Sequence, residues 1–286
     1  MTHERTVHPE QWRETCDVFS LPYHRFRVAE VLGYPHAGND VFHVKGWHEE
    51  KTVRAYVKAE RQAGAAIANE INILSQLHEP IFPKVLDWGM EGRPFIVTEE
   101  LPGKRLSVIL DACEKKESLS YMRAYGQALG KIHRKNIDAG AQADRRFFRV
   151  PDNGVLEKLN LSWMKAFFRN SPGESATVFC HGDFHYANIL WNEQKISAIL
   201  DFALAGYGNR DFDITWPLIR RPGQKFMKTE EERQLFLKGY GEYGSYDDRA
   251  VLYYMAQIYC HFLRFCNSDS EYREYVRAWL RKCCDI

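Results

Sequence analysis

The chain contains no run of apolar residues long enough to cross a bilayer, and its first ten residues lack the apolar core of a signal peptide. It has no Cys-x-x-Cys pair, which removes the usual spacing of zinc and redox motifs. Its seven cysteines are odd in number; Cys113, Cys180, Cys260 and Cys266 lie in apolar stretches and read as small core residues of a reducing compartment. A cytoplasmic protein is therefore expected. Net charge is also lacking: 39 Lys and Arg against 38 Asp and Glu leave +1, which gives no basis for a nucleic-acid partner. Neither Gly-x-Gly-x-x-Gly nor a Walker pattern occurs, and there is no internal repeat or low-complexity linker. What remains is an ordinary globular composition, 45% hydrophobic and 27% charged, in 286 residues, enough for two lobes.

Patterning divides the chain. Residues 9 to 20 suggest a short leading helix, with Trp12, Cys16 and Phe19 at helical spacing. A β-rich region follows, with strands expected at 25–32, 40–44, 52–58, 84–88 and 94–98. One helix, 63–77, interrupts them, with Ile67, Ile71, Leu74 and Leu77 on one face and Glu70 beside that stripe. The turn holding Gly38 and Asn39 is a candidate phosphate loop, because glycine lets backbone amides approach an anion. Glu99-Glu100-Leu101-Pro102-Gly103 marks a boundary. Residues 1–100 form the expected first lobe and 101–286 the second, mostly helical one, with helices at 121–135, at 154–169 and three or four from Glu230 onward.

One segment of the second lobe concentrates polar groups between short apolar runs. Val178–Cys180, Ile189–Trp191 and Ile196–Leu200 read as buried strands, leaving Asp183, Asn188 and Asp201 at their ends. Those three could converge on one divalent cation and its phosphate ligands, and Mg²⁺ suits an all-oxygen set. His181-x-Asp183-x-His185 also admits a zinc cluster, although no second ligand group of similar spacing follows. Turn and capping roles are the plain alternative for the Asp and Asn residues.

His181-Gly-Asp-Phe-His-x-x-Asn188-Ile-Leu, then Asp201-Phe202 and Gly208-Asn-Arg-Asp-Phe-Asp213, resembles the aminoglycoside phosphotransferase and choline kinase superfamily of small-molecule kinases. The resemblance implies an α+β, bilobal protein-kinase-like fold. It implies Asp183 as the catalytic residue that orients the acceptor hydroxyl and takes its proton, and Asn188 and Asp201 as ligands of Mg²⁺. It implies that Lys58, held by Glu70, contacts the phosphates of ATP (or GTP), and that Glu99 and Leu101 offer main-chain groups to the base. His181 and Asp213 are expected to brace the loop around Asp183, and His133 to be a packed or capping histidine. Arg210 stands where many relatives have proline, which implies a different loop shape beyond Gly208.

The expected enzyme is an ATP-dependent (or GTP-dependent) phosphotransferase acting on a hydroxyl of a small molecule, of aminoglycoside or amino-alcohol type. The aromatics Trp216, Tyr240, Tyr243, Tyr246, Tyr253, Tyr254 and Tyr259 and the carboxylates Glu230–Glu232, Glu242, Asp247 and Asp248 would suit a cationic acceptor, although arginines and lysines are as numerous there. No nucleic-acid, membrane or protein partner is expected. The alternative is a nucleotide-binding pseudokinase or regulatory module without small-molecule turnover; the retained set Lys58, Glu70, Asp183, Asn188 and Asp201 argues against it.

Overall fold

A computed structural model describes residues 13–35, 38–64, 66–111, 118–266 and 269–283. The chain divides into two compact units: Met1–Gly103 with Ile137–Ala139 and Ser197–Leu204, and Lys104–Asn136 with Gly140–Ile196 and Ala205–Ile286.

The first unit is built on a five-stranded antiparallel sheet of β1 (Phe26–Gly33), β2 (Asp40–His48), β3 (Lys51–Ala59), β4 (Val85–Gly89) and β5 (Phe95–Glu99), in the order β1-β2-β3-β5-β4. Alternation decides its faces. Phe42 and Val44 of β2, Ala55, Val57 and Ala59 of β3, and Phe95 and Val97 of β5 are buried with Val18 and Leu21 of the preceding segment. Lys58 lies between Val57 and Ala59 in β3, so the pleat turns it to the opposite face. Helix α1 (Ile67–Gln76) buries Ile67, Glu70, Ile73 and Leu74. It starts four residues later than its hydrophobic spacing suggests, because Ala66 adopts the left-handed conformation at φ 60, which a helix cannot pass through.

The leading helix expected at 9–20 is not formed over its described part. Residues 9–12 lie outside the described residues, and only Val18–Ser20 makes a single 3₁₀ turn, capped by Asp17. Buried Asp40 accepts both the amide and the hydroxyl of Thr15, at 2.9 and 2.6 Å, and holds the chain out of a helix there.

In the second unit, β6 (Lys104–Arg105) pairs with β8 (Ile189–Asn192), and β7 (Thr177–Cys180) pairs antiparallel with β10 (Gly206–Asn209); β9 (Lys195–Ile199) begins in this unit and ends in the Ser197–Leu204 segment of the first. The helices are α2 (Leu106–Asp111), α3 (Leu119–His133), α4 (Asn153–Lys158), α5 (Met164–Arg169), α6 (Arg210–Leu218), α7 (Glu230–Gly241), α8 (Asp248–Leu263) and α9 (Ser270–Cys283). The single helix expected at 154–169 is two, since Asn160 takes φ 55 between them. Beyond Gly208 the chain enters a helix. Asn209 caps α6 through the Phe212 amide, and Arg210 begins the helix, where proline would also be accepted as a first helical residue.

Helices α3 and α7 approach closely at two glycines. A Cβ on Gly126 would stand 1.9 Å from the Phe236 carbonyl oxygen, and one on Gly239 would stand 2.0 Å from that of Arg123. Backbone cannot yield as a side-chain tip can. Gly126→Ala should therefore destabilise the protein by about 2–3 kcal/mol, although alanine is the better helix former. Gly241→Ala, with nothing within 4 Å of the added carbon, should stay within about 0.5 kcal/mol of wild type. Denaturant unfolding of the two variants tests this.

Candidate active site

Two clusters of functional groups form, one in each unit. In the first, the Lys58 ammonium lies 2.7 Å from Glu70 Oε2 and 2.9 Å from Asp201 Oδ1. The Glu70 side chain is 6% exposed and that of Lys58 16%, whereas Asp201 is 39% exposed, so the pair is screened from water and the third member stays accessible. Burial alone would drive a proton off Lys58, but the charges of Asp201 and Glu70 outweigh it and hold the ammonium above its ordinary value. Asp201 takes φ 65, which turns the chain sharply as it leaves β9. Asn69 of α1 donates to the Ala203 carbonyl at 3.1 Å and secures that turn.

The other residues singled out in this unit are not part of that cluster. Gly38 has φ 95, and Asn39 accepts the Arg61 amide at 3.3 Å; neither bonds to Lys58. Glu99 closes β5, its amide donating to the Lys84 carbonyl at 3.0 Å and its carboxylate accepting the Lys84 amide at 3.1 Å. Leu101 follows outside any strand or helix, its amide without a hydrogen-bond partner among the described residues.

The second cluster centres on Asp183, in the connection from β7 to β8. Its position derives from Asp213, in the first turn of α6, which is 1% exposed. Asp213 accepts the His181 amide at 2.9 Å and the Gly182 amide at 3.0 Å, and its Oδ2 lies 3.0 Å from His133 Nε2. The other ring nitrogen of His133 meets the Tyr240 hydroxyl at 2.9 Å. Gly182 has φ 82, a backbone state that costs glycine little, and the turn presents both amides to one carboxylate.

Beyond that turn, Asp183 Oδ1 accepts the Trp216 indole N–H at 2.7 Å and lies 3.7 Å from an Arg145 nitrogen; Oδ2 lies 3.5 Å from His185 Nε2. Asn188 ends the 3₁₀ turn Tyr186–Asn188, and its Nδ2 donates to the Asp183 carbonyl at 3.0 Å. Burial pushes the Asp183 carboxyl up, but the His185 hydrogen bond and charge, with Arg145 and Arg221, hold it well below the usual carboxylate range. It is an ionised acceptor among donors.

The zinc alternative does not gather its ligands. His181 Nδ1 accepts the Asp183 amide at 3.3 Å, and the ligand atoms of His181, Asp183 and His185 do not lie within 4.8 Å of one another. His133, Cys180 and Asp213 do lie within 4.8 Å of one another. They are buried, and the Asp213 oxygens are already engaged by two amides and an imidazole.

Sequence reasoning did not single out Arg145 or Arg221, and it placed Trp216 only among the aromatic residues available to an acceptor. The doubled arginines Arg145-Arg146 and Arg220-Arg221 were the available signal, but charge in irregular segments has no periodicity to read. Four of the carboxylates thought suited to a cationic acceptor have other partners. Glu230 pairs with Arg233 at 2.7 Å, Glu232 accepts the Met227, Lys228 and Thr229 amides, Glu242 pairs with Arg123 at 2.6 Å, and Asp247 caps α8.

A model of the phosphotransferase enzyme family matches residues 31–253. An aminoglycoside 3'-phosphotransferase of Niallia circulans is 25% identical over 242 residues, 78% of this chain and 88% of the relative. Among solved structures, a thermostable mutant of the aminoglycoside phosphotransferase APH(4)-Ia, in ternary complex with AMP-PNP and hygromycin B, is similar with a TM-score of 0.60 and 15% identity, over 89% of this chain and 94% of that one. The macrolide 2'-phosphotransferase MphH of Brachybacterium faecium is similar with a TM-score of 0.53 and 17% identity, over 90% and 92%. The shared fold is α+β, and no helix among the described residues is long and apolar enough to cross a membrane.

Two outcomes follow from this geometry. Asp213→Ala would leave two buried amides without an acceptor and should cost about 3 kcal/mol or more in urea unfolding. Asp183 has its pKa depressed in the folded state, so its ionised form stabilises the protein above its unfolded value, about 3.9, and that contribution fades as pH falls toward the native value. The stability gap between wild type and Asp183→Asn should change below about pH 4 and be level above about pH 5 in acid titrations followed by circular dichroism.

Proposed function

The chain belongs to the phosphotransferase enzyme family, and from that premise we propose that it transfers the terminal phosphoryl group of ATP (or GTP) to a hydroxyl of a small molecule. The observation that carries this reading is the buried Lys58 ammonium shared by Glu70 and Asp201 at 2.7 and 2.9 Å. Such an ammonium, fixed by a carboxylate from the neighbouring helix, is what kinases set against nucleotide phosphates. In this proposal Met1–Gly103 supplies the nucleotide-handling residues, Lys58 and Glu70 with Gly38 and Asn39 along the phosphates and the main chain of Glu99 and Leu101 at the base. Asp183 orients the acceptor hydroxyl and takes its proton, and the Trp216 and Asn188 N–H groups hold its carboxylate in one rotamer. AMP-PNP bound to the APH(4)-Ia mutant supports nucleotide use here.

The donor set fits Mg²⁺. Asn188 commits its nitrogen to Asp183, which leaves its Oδ1 without a hydrogen bond among the described residues, and Asp201 adds a partly exposed carboxylate. Each offers a hard oxygen of the kind Mg²⁺ takes. When bound, such an ion neutralises phosphate charge. Aminoglycoside hydroxyls enter this reading through the name of a relative, and amino-alcohol hydroxyls only through the resemblance of the sequence motif. A cytoplasmic setting suits it too, since Cys16, Cys180, Cys260, Cys266 and Cys283 form no disulfide.

The test is ADP release with aminoglycosides, macrolides, choline, ethanolamine and homoserine as acceptors. Asp183→Asn should lose at least about 100-fold in kcat with an active acceptor while nucleotide affinity is kept. Undiminished transfer would remove Asp183 from the mechanism. Nucleotide binding with no acceptor-stimulated turnover would favour a regulatory module instead.

A further inference from the structure

Around Asp183 the second unit gathers positive charge. The Arg145 and Arg221 guanidiniums lie 4.1 and 4.9 Å from the centroid of the Trp216 ring, whose N–H is donated to Asp183. Arg221 also lies 5.7 Å from the Tyr186 ring. Stacking on aromatic faces fixes the plane of a guanidinium and reduces the freedom it must give up to bind.

Arg221 is the more telling of the two. Its Nη1 reaches the Ile219 carbonyl at 3.5 Å, and its Nη2 is buried without a hydrogen-bond partner. Neighbouring arginines are matched: Arg210 with Asp211 at 2.9 Å, Arg220 with Glu271 at 3.1 Å, and Arg233 with Glu230 at 2.7 Å. Arg221 has no carboxylate in an ion pair among the described residues. A guanidinium N–H shielded from water and unpaired is costly, and the cost disappears when an anionic acceptor arrives. Burial holds Arg145 below its ordinary value; Asp183 draws it up and Arg221 pushes it down, so an added anion would relieve both guanidiniums.

The geometry points to an acceptor that carries a carboxylate or a phosphate, bound by Arg221 with Arg145 while its hydroxyl faces Asp183. This rests on the assignment of Asp183 to the acceptor hydroxyl. The planar fork of arginine matches both anions in two parallel hydrogen bonds. An ammonium-bearing acceptor would meet two like charges in a partly buried space, with Glu230, Glu232 and Glu242 committed elsewhere. Arg145 also donates to the Gly182 carbonyl, so it braces the loop as well; Arg221 is the residue to test.

Glucuronate, glucose and glucosamine share a hydroxylated ring and differ in charge, and glucose phosphate separates a phosphate from a carboxylate. Each is titrated into the full chain in the presence of AMP-PNP, with the Trp216 indole N–H resonance as the reporter, assigned through Trp216→Phe. One of the two anions should bind about tenfold or more tightly than glucose, and glucosamine more weakly than glucose. Arg221→Gln should lose that preference and keep its affinity for AMP-PNP. The inference is overturned if glucosamine binds as tightly as the better anion, if neither anion moves the resonance, or if Arg221→Gln leaves anion affinity unchanged. Binding is read apart from turnover, so these results leave the phosphotransfer reading standing, whereas undiminished ADP release by Asp183→Asn strikes that reading alone.

Discussion

The carboxylate of Asp213 is the constraint on which the second unit's cluster depends. It satisfies two consecutive amides of a left-handed turn and at the same time meets an imidazole, all out of contact with water. Unmade, each of those bonds would leave a desolvated donor, so the turn at Gly182 has little freedom to relax. Asp183 follows immediately. Its side chain inherits a fixed origin, and Trp216, three residues beyond Asp213 on the same helix, closes on it at 2.7 Å. One helix therefore supplies both the brace behind the loop and the donor in front of it.

In the first unit the comparable constraint is the pleat of β3. Val57 and Ala59 must face the core, so Lys58 must face away, toward Glu70 of α1. A buried ammonium needs compensation, and two carboxylates provide it. Asp201 reaches the same ammonium because the chain turns sharply at a positive φ just after β9. Strain in that backbone is secured by Asn69, so the accessible carboxylate is held while remaining open to a ligand.

Charge is distributed with a comparable economy. Glu230, Glu232 and Glu242, in and beside α7, are consumed in capping and in pairing, Glu232 most fully, through the capping box with Thr229 and a hydrogen bond from Ser118. Arg221, over Trp216, is not consumed in that way. Composition near neutrality hides this separation, because it sums residues that neutralise one another with residues that do not.

The sequence by itself determined the order of strands and helices and the chemistry-bearing residues on them. Strands such as β2 and β3 alternate in period two, and Asp183, Asn188 and Asp201 stand where short apolar runs end, so local pattern placed them while the motif's resemblance gave them roles. Lys58 and Glu70 were placed by one strand and one helix, but only the resemblance of the downstream motif singled them out. Local pattern failed where a distant group intervened. Thr15 is held by Asp40 and leaves the leading segment with a single 3₁₀ turn, and Asn209 turns an expected loop into the start of α6. Only the tertiary structure decided which charges were spent. Whether Glu232 faces a ligand or three amides, and whether Arg221 finds a carboxylate, depends on residues brought together by packing, and no spacing along the chain records that.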